Sequence, residues 1–170
     1  MSIPASGKVA NNGEGILYGT LVRVSREPVA KAVSNGLKLE VKYLDENGAL
    51  LLPGSYPVKQ GMRFTATVKV TNALPRALEN LALSVRIPSG WEIINDRMSG
   101  AGDEGYDHKD IRDDRVNWFF ALPAGRFKSF TVQLRAAYEG TYELPAIVCD
   151  AMYEPGVNAA SASGTTSVVR

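Results

Sequence analysis

A chain of 170 residues has room for one domain with a sizeable core, and its 45% hydrophobic and 22% charged content is ordinary for a globular protein. The 19 Lys and Arg side chains balance 18 Asp and Glu, for a net charge of +1, which excludes the electrostatic footprint of a nucleic-acid or anionic-lipid binder. One cysteine, Cys149, excludes an internal disulfide and a cysteine-based zinc site.

Residues 1–14, with Asn11-Asn12-Gly13, read as poorly tied down. The start, Met1-Ser-Ile-Pro-Ala-Ser-Gly7, lacks the charged and apolar regions of a signal peptide, so an export signal would lie elsewhere in a longer chain. Ile16 to Val24 is rich in β-formers and predicts a strand, and residues 25–35 read as a linker. Period-two alternation then dominates. Leu37, Leu39, Val41 and Tyr43 alternate with Lys38, Glu40 and Lys42, and Glu46-Asn47-Gly48 follows as a hairpin turn. Phe64, Ala66, Val68 and Val70 alternate with Arg63, Thr65, Thr67, Lys69 and Thr71. Ala73 to Leu81 has space for a short turn that Pro75 limits, and Leu81, Leu83, Val85 and Ile87 form the next alternating set. Pro88-Ser89-Gly90 ends it.

Ser99 to Asp114 is the longest polar stretch and reads as a loop. Val116 to Leu122 is apolar on both faces and predicts a central strand. Phe130, Val132, Leu134 and Ala136 alternate with Ser129, Thr131, Gln133 and Arg135. Tyr142 to Tyr153 reads as one long strand, with Pro145 marking an edge or a bulge. Ser161 to Val169 closes the series. Strand side chains point alternately to opposite faces, so each alternating segment buries one side. The fold class is therefore all-β, an antiparallel two-sheet sandwich of immunoglobulin-like type, with no amphipathic helix and no apolar run of the roughly 18 residues that a membrane helix needs.

Candidate chemistry is sparse. His108, in Tyr106-Asp107-His108-Lys109-Asp110, reads as an exposed loop histidine rather than a general base or a metal ligand. Asp103, Glu104, Asp107, Asp110, Asp113 and Asp114 have the density of a calcium loop, but the EF-hand spacing is not met and Lys109, Arg112 and Arg115 neutralise them. A solvated, salt-bridged loop is the simpler reading, with Arg–Asp pairs fixing it to the sheet rim. Trp91, Trp118, Phe119 and Phe120 read as core, and Cys149 as a small buried hydrophobe. No metal, no cofactor and no catalytic residue is expected, so the chain is not read as an enzyme.

The segment Asp150-Ala-Met-Tyr-Glu-Pro-Gly-Val157 is different, because it ends a strand and turns at Pro155-Gly156. If Met152 and Tyr153 lie on a strand they point to opposite faces, one inward and one presented outward. Tyr153 is then either rim packing or an exposed contact residue of large area and small entropy cost.

Several phrases occur in the order found in bacterial α2-macroglobulins, and the chain from about Gly36 onward resembles the C-terminal part of that family. They are Leu37-Lys-Leu-Glu-Val-Lys-Tyr43, Lys59-Gln-Gly61, Leu78-Glu-Asn-Leu-Ala-Leu83, Pro88-Ser-Gly-Trp-Glu-Ile93, Asp110-Ile-Arg-Asp-Asp-Arg-Val116, Leu122-Pro-Ala-Gly125 and Leu144-Pro-Ala-Ile-Val-Cys-Asp-Ala-Met-Tyr153. The resemblance implies two regions. Residues 36–170 would be the last macroglobulin-like domain, the counterpart of the receptor-binding domain. Residues 1–35 would be an N-terminal segment and linker, whose first 24 residues add a strand to a preceding CUB-like domain or stay unpartnered.

The resemblance also implies a periplasmic or cell-envelope parent that traps proteases after cleavage of a bait region. It implies partners among the parent's own thioester and CUB-like domains, and target proteases only through the parent. In thioester-bearing members a Tyr of this domain helps shield the thioester, and the Ala-Met-Tyr phrase carries that role to Tyr153, with Met152, Glu154 and Pro155 as neighbouring contact residues. No Cys-x-Glu-Gln is present; Cys149 is followed by Asp150, Ala151 and Met152. The competing reading is an adhesin-like or carbohydrate-binding sandwich, which needs two or three coplanar exposed aromatics.

Overall fold

The computed structural model describes residues 13–16, 18, 30–94 and 105–170. Most of the strand expected over Ile16–Val24, and Asp103 and Glu104 of the acidic stretch, lie outside the described residues. Fourteen strands and no helix are formed among the described residues. The five-stranded sheet contains β2 (Leu37–Asp45), β3 (Leu50–Leu51), β5 (Arg63–Asn72), β7 (Trp91–Ile93) and β10 (Phe127–Ala136), in the order β3-β2-β5-β10-β7. The six-stranded sheet contains β1 (Val33–Asn35), β6 (Leu78–Arg86), β8 (His108–Ile111), β9 (Arg115–Leu122), β12 (Val148–Ala151) and β13 (Asn158–Ala160), in the order β1-β13-β12-β6-β9-β8. A small third sheet, β11-β14-β4, joins β11 (Gly140–Leu144), β14 (Gly164–Val169) and β4 (Val58–Lys59), and its β4–β14 pair is parallel.

The alternating segments bury the faces their patterns predict. Phe64, Ala66, Val68 and Val70 of β5 and Phe130, Val132, Leu134 and Ala136 of β10 are buried on one side of the core. Leu81, Leu83 and Val85 of β6 and Val116, Trp118, Phe120 and Leu122 of β9 are buried on the other. The Phe130 ring meets Trp118 at 5.3 Å and Phe120 at 4.7 Å between centroids, so the two large sheets pack face to face through these aromatics. Trp91 packs edge-on against Phe64 and Tyr43 at 4.8 and 5.7 Å. The Asn-Gly turn forms as expected. The Asp45 carboxylate accepts from the Asn47 and Ala49 N–H groups at 2.9 and 2.7 Å, and Gly48 takes a φ of +80°.

Four sequence expectations are corrected. Residues 142–153 are not one strand. β11 and β12 belong to different sheets, and residues 145–147 cross between them. Pro145 has no N–H to give to a ladder, so it suits the crossing, while Ile147 is buried and its N–H donates to Ser161 Oγ at 2.9 Å. The polar stretch is not all loop, because His108–Ile111 pairs with β9 as an edge strand, which tolerates polar side chains. Val116–Leu122 is paired on both sides, by β6 and β8, as a central strand should be, but Phe119, expected in the core, is only half-buried because its ring lies on the outer face of β9 against His108. Part of the linker read over residues 25–35 is strand, for Val33–Asn35 pairs with Asn158–Ala160.

Candidate functional site

One end of the sandwich gathers the turn at residues 151–157, the loop at 73–77 and the ends of β2, β5 and β9. The turn closes a hairpin between β12 and β13. The Ala151 N–H donates to the Val157 carbonyl at 3.0 Å, the Glu154 N–H to Ala151 at 3.1 Å and the Val157 N–H to Glu154 at 3.1 Å. Gly156 has a φ of +99°, a conformation that a side chain would strain, which explains Pro-Gly at this point. β12 ends at Ala151, which is buried, so Met152 and Tyr153 lie in the turn rather than on a strand. The expected inward–outward split therefore fails. Both side chains face solvent, Tyr153 at 74% exposure and Met152 at 48%.

The turn is held from two directions. The Met152 N–H donates to the Asn80 carbonyl at 3.1 Å. Asn80 has a φ of +53° at a register shift in β6 between Leu78 and Leu81, a bulge that displaces its backbone from regular pairing. From the other side the Arg76 guanidinium grips the Glu154 carboxylate with both nitrogens, Nη1 meeting Oε1 at 3.0 Å and Nη2 meeting Oε2. This pairing holds the Glu154 carboxyl below its usual range and raises Arg76.

Arg76 is rooted in turn by Asn72, whose side chain is almost completely buried. Asn72 Nδ2 donates to the carbonyls of Arg76 at 2.8 Å, Leu122 at 3.0 Å and Pro123 at 3.2 Å, and Oδ1 accepts from the Leu74 N–H at 2.9 Å. Sequence reasoning missed Asn72, Arg76 and Asn80. A polar residue closing an alternating strand just before Ala73-Leu74-Pro75 was the available signal for Asn72. Nothing in the sequence pairs Arg76 with Glu154, which stand 78 positions apart.

The remaining candidates do not converge on this end. His108 is exposed and stacks on Phe119 at 5.9 Å. Asp110 accepts from Arg112 at 2.9 Å and Asp114 from Arg115 at 2.6 Å, and both carboxyls are held low by their guanidinium partners. These are the Arg–Asp pairs expected at the rim. Among the described residues no three His, Cys, Asp or Glu side chains come together as a metal site. Cys149 is completely buried and burial pushes its thiol up to about 12, far from a reactive thiolate. Trp91 and Trp118 are buried, as expected. Two open depressions of about 330 and 290 Å³, lined by residues such as Asp45, Arg63, Glu92 and Arg135, lie at the opposite end of the sandwich.

The family model described as the bacterial alpha-2-macroglobulin MG10 domain matches residues 36–156, well over half of the chain. The chain belongs to the bacterial α2-macroglobulin MG10 domain family. It is a non-catalytic macroglobulin domain. It is 26% identical to an alpha-2-macroglobulin homolog of Yersinia pestis over 163 residues, covering 79% of this chain and 8% of that protein. It is 28% identical to the alpha-2-macroglobulin of Rickettsia conorii over 133 residues, covering 74% of this chain and 7% of that protein. The MG10 chain thus spans less than a tenth of the length of these curated relatives.

Among solved structures, it superposes on Salmonella alpha-2-macroglobulin reacted with methylamine with a TM-score of 0.72 at 22% identity, over 83% of this chain and 10% of that one. It superposes on Escherichia coli alpha-2-macroglobulin spanning domain MG7 to the C-terminus with a TM-score of 0.71 at 20% identity, over 82% of this chain and 24% of that one. These likenesses show the sandwich fold.

Proposed function

We propose that this MG10 domain is the C-terminal macroglobulin-like domain of a periplasmic or cell-envelope protease trap, the counterpart of a receptor-binding domain. In this reading the domain packs on the parent's thioester domain, and a CUB-like domain precedes it. Residues 36–170 form the packing module and residues 1–35 lead into it from the neighbour. Target proteases meet the parent, not this domain.

The observation that carries the reading is the exposed pair Met152 and Tyr153, 48% and 74% accessible, on a turn whose backbone is hydrogen-bonded on both sides. An exposed aromatic on a fixed turn covers a partner's reactive group at small entropic cost. A thioester persists only where water and amines are kept from its acyl carbon. Tyr153, with Met152 and the flanking Glu154 and Pro155, is the part of the domain suited to that cover. One solved relative is described as reacted with methylamine, in keeping with a thioester parent. The carbohydrate-platform reading has no such support, because both tryptophans are in the core.

The test is methylamine treatment of the full-length parent. Attack of the amine nitrogen on the acyl carbon forms an amide, breaks the carbon–sulfur bond and frees a thiol that can be titrated. Tyr153→Gly is expected to speed thiol release several-fold. An unchanged rate overturns the shielding role.

A further inference from the structure

We propose that Arg76 is the positioning residue of this contact site, a latch that sets the direction in which Met152 and Tyr153 are presented to the partner domain. The inference rests on the proposed contact role of the turn and goes beyond it, because Arg76 lies in a different loop.

Tyr153 sits between two anchored neighbours. On one side the Met152 N–H is fixed to the Asn80 carbonyl, a main-chain bond that side-chain substitutions at the turn leave in place. On the other side the loop-to-turn link among the side chains is the two-pronged Arg76–Glu154 pair. A guanidinium fork and a carboxylate meet in one plane, so the pair fixes orientation as well as distance. An ammonium would supply the charge but not the plane.

The latch is anchored at its base, since the Arg76 carbonyl is held by the buried Asn72 amide at 2.8 Å. The order Asn72, Arg76, Glu154, Tyr153 thus runs as a chain of contacts from the core to the exposed ring. Exposed ion pairs add little to global stability. What the pair does is restrict a turn that a partner must find already shaped, which lowers the ordering cost of docking.

The experiment uses the full-length parent and two readouts, amide exchange of residues 151–154, 156 and 157 and methylamine-driven thiol release. Arg76→Gln is expected to speed exchange in the turn roughly two- to five-fold, the effect of losing an exposed ion pair, and to speed thiol release. Arg76→Lys should restore little, and the swap Arg76→Glu with Glu154→Arg should restore most of both. Unchanged exchange in Arg76→Gln overturns the latch. Faster exchange with unchanged thiol release, while Tyr153→Gly speeds release, overturns the positioning role alone. If Tyr153→Gly itself leaves release unchanged, the shielding reading fails, and the role given to Arg76 fails with it.

Discussion

The ring of Tyr142 fills the space beside Gly90, so that a Cβ at Gly90 would lie 2.1 Å from Tyr142 Cε2. The Tyr142 hydroxyl donates back to the carbonyls of Glu139 and Tyr138 at 3.0 and 3.2 Å, and the Ala137 and Tyr138 N–H groups donate to the Gly90 carbonyl at 2.9 and 3.1 Å. The tyrosine therefore pins the β10–β11 corner against the Pro88–Gly90 turn. Gly90→Ala must displace a ring that is held by its own hydroxyl. We expect a loss of about 1–3 kcal/mol, the usual cost of overpacking, read as a lower urea midpoint at unchanged slope.

Asn72→Ala removes the amide that serves three carbonyls and one N–H beside the 151–157 turn. The Leu122 carbonyl and the Leu74 N–H lose a partner in a place that water reaches poorly. The expected cost is about 2–3 kcal/mol, measured by chemical unfolding. Asn72→Asp should cost at least as much, because a carboxylate would face carbonyl oxygens where the amide nitrogen now donates.

Asn80 offers a conformational test. At a φ of +53° a β-branched side chain is strained, whereas glycine is not. Asn80→Val is expected to cost about 1–2 kcal/mol and to loosen the Met152 amide, while Asn80→Gly should change stability by less than about 0.5 kcal/mol. Thermal unfolding with amide exchange at residue 152 distinguishes the two.

Alkaline stability follows from a buried thiol and a half-buried phenol. Burial pushes the Cys149 thiol from 9.0 to about 12 and the Tyr43 phenol from 10.0 to about 12. Between these values the unfolded chain has lost the proton and the folded chain keeps it, so stability falls as pH rises. The decline should begin near pH 9 with the thiol, steepen above 10 with the phenol, and level off near 12. Cys149→Ala should postpone the onset toward pH 10, whatever its packing cost at neutral pH. An onset at the same pH in that variant would assign the decline to other groups. A native thiol that reacts slowly with a disulfide reagent at pH 8, and rapidly after unfolding, would agree with the same burial.

The Glu154 carboxyl gives the turn at residues 151–157 an acid limit. Arg76 holds it below its usual range, so the pair is intact at neutral pH and is lost as pH falls through the lowered value. Chemical shifts of Tyr153 should stay constant from neutral pH down to the ordinary carboxylate range and change below it. In Glu154→Gln that acid transition should vanish.

Much of the fold was legible because burial on one face leaves a period of two in the residues themselves. Leu37, the Phe64–Val70 set, the Leu81–Val85 set and the Phe130–Ala136 set all point inward as their alternation requires. The Asn47-Gly48 turn was legible for a similar reason, since its chemistry is local. Pro145 was legible as an interruption but not as a passage from one sheet to another, because a missing N–H marks a break without saying where the chain goes next. Polar residues hid β8, since an edge strand needs no buried alternation.

The sequence alone determined the all-β class, the inward faces and the turn that carries Met152 and Tyr153, because each depends on neighbours within a few positions. Only the tertiary structure decided that both of those side chains face outward, that Asn72 roots the loop beside them, and that Arg76 reaches Glu154 across 78 positions. Contacts of that range arise from how the sheets pair and pack, and no local periodicity records them.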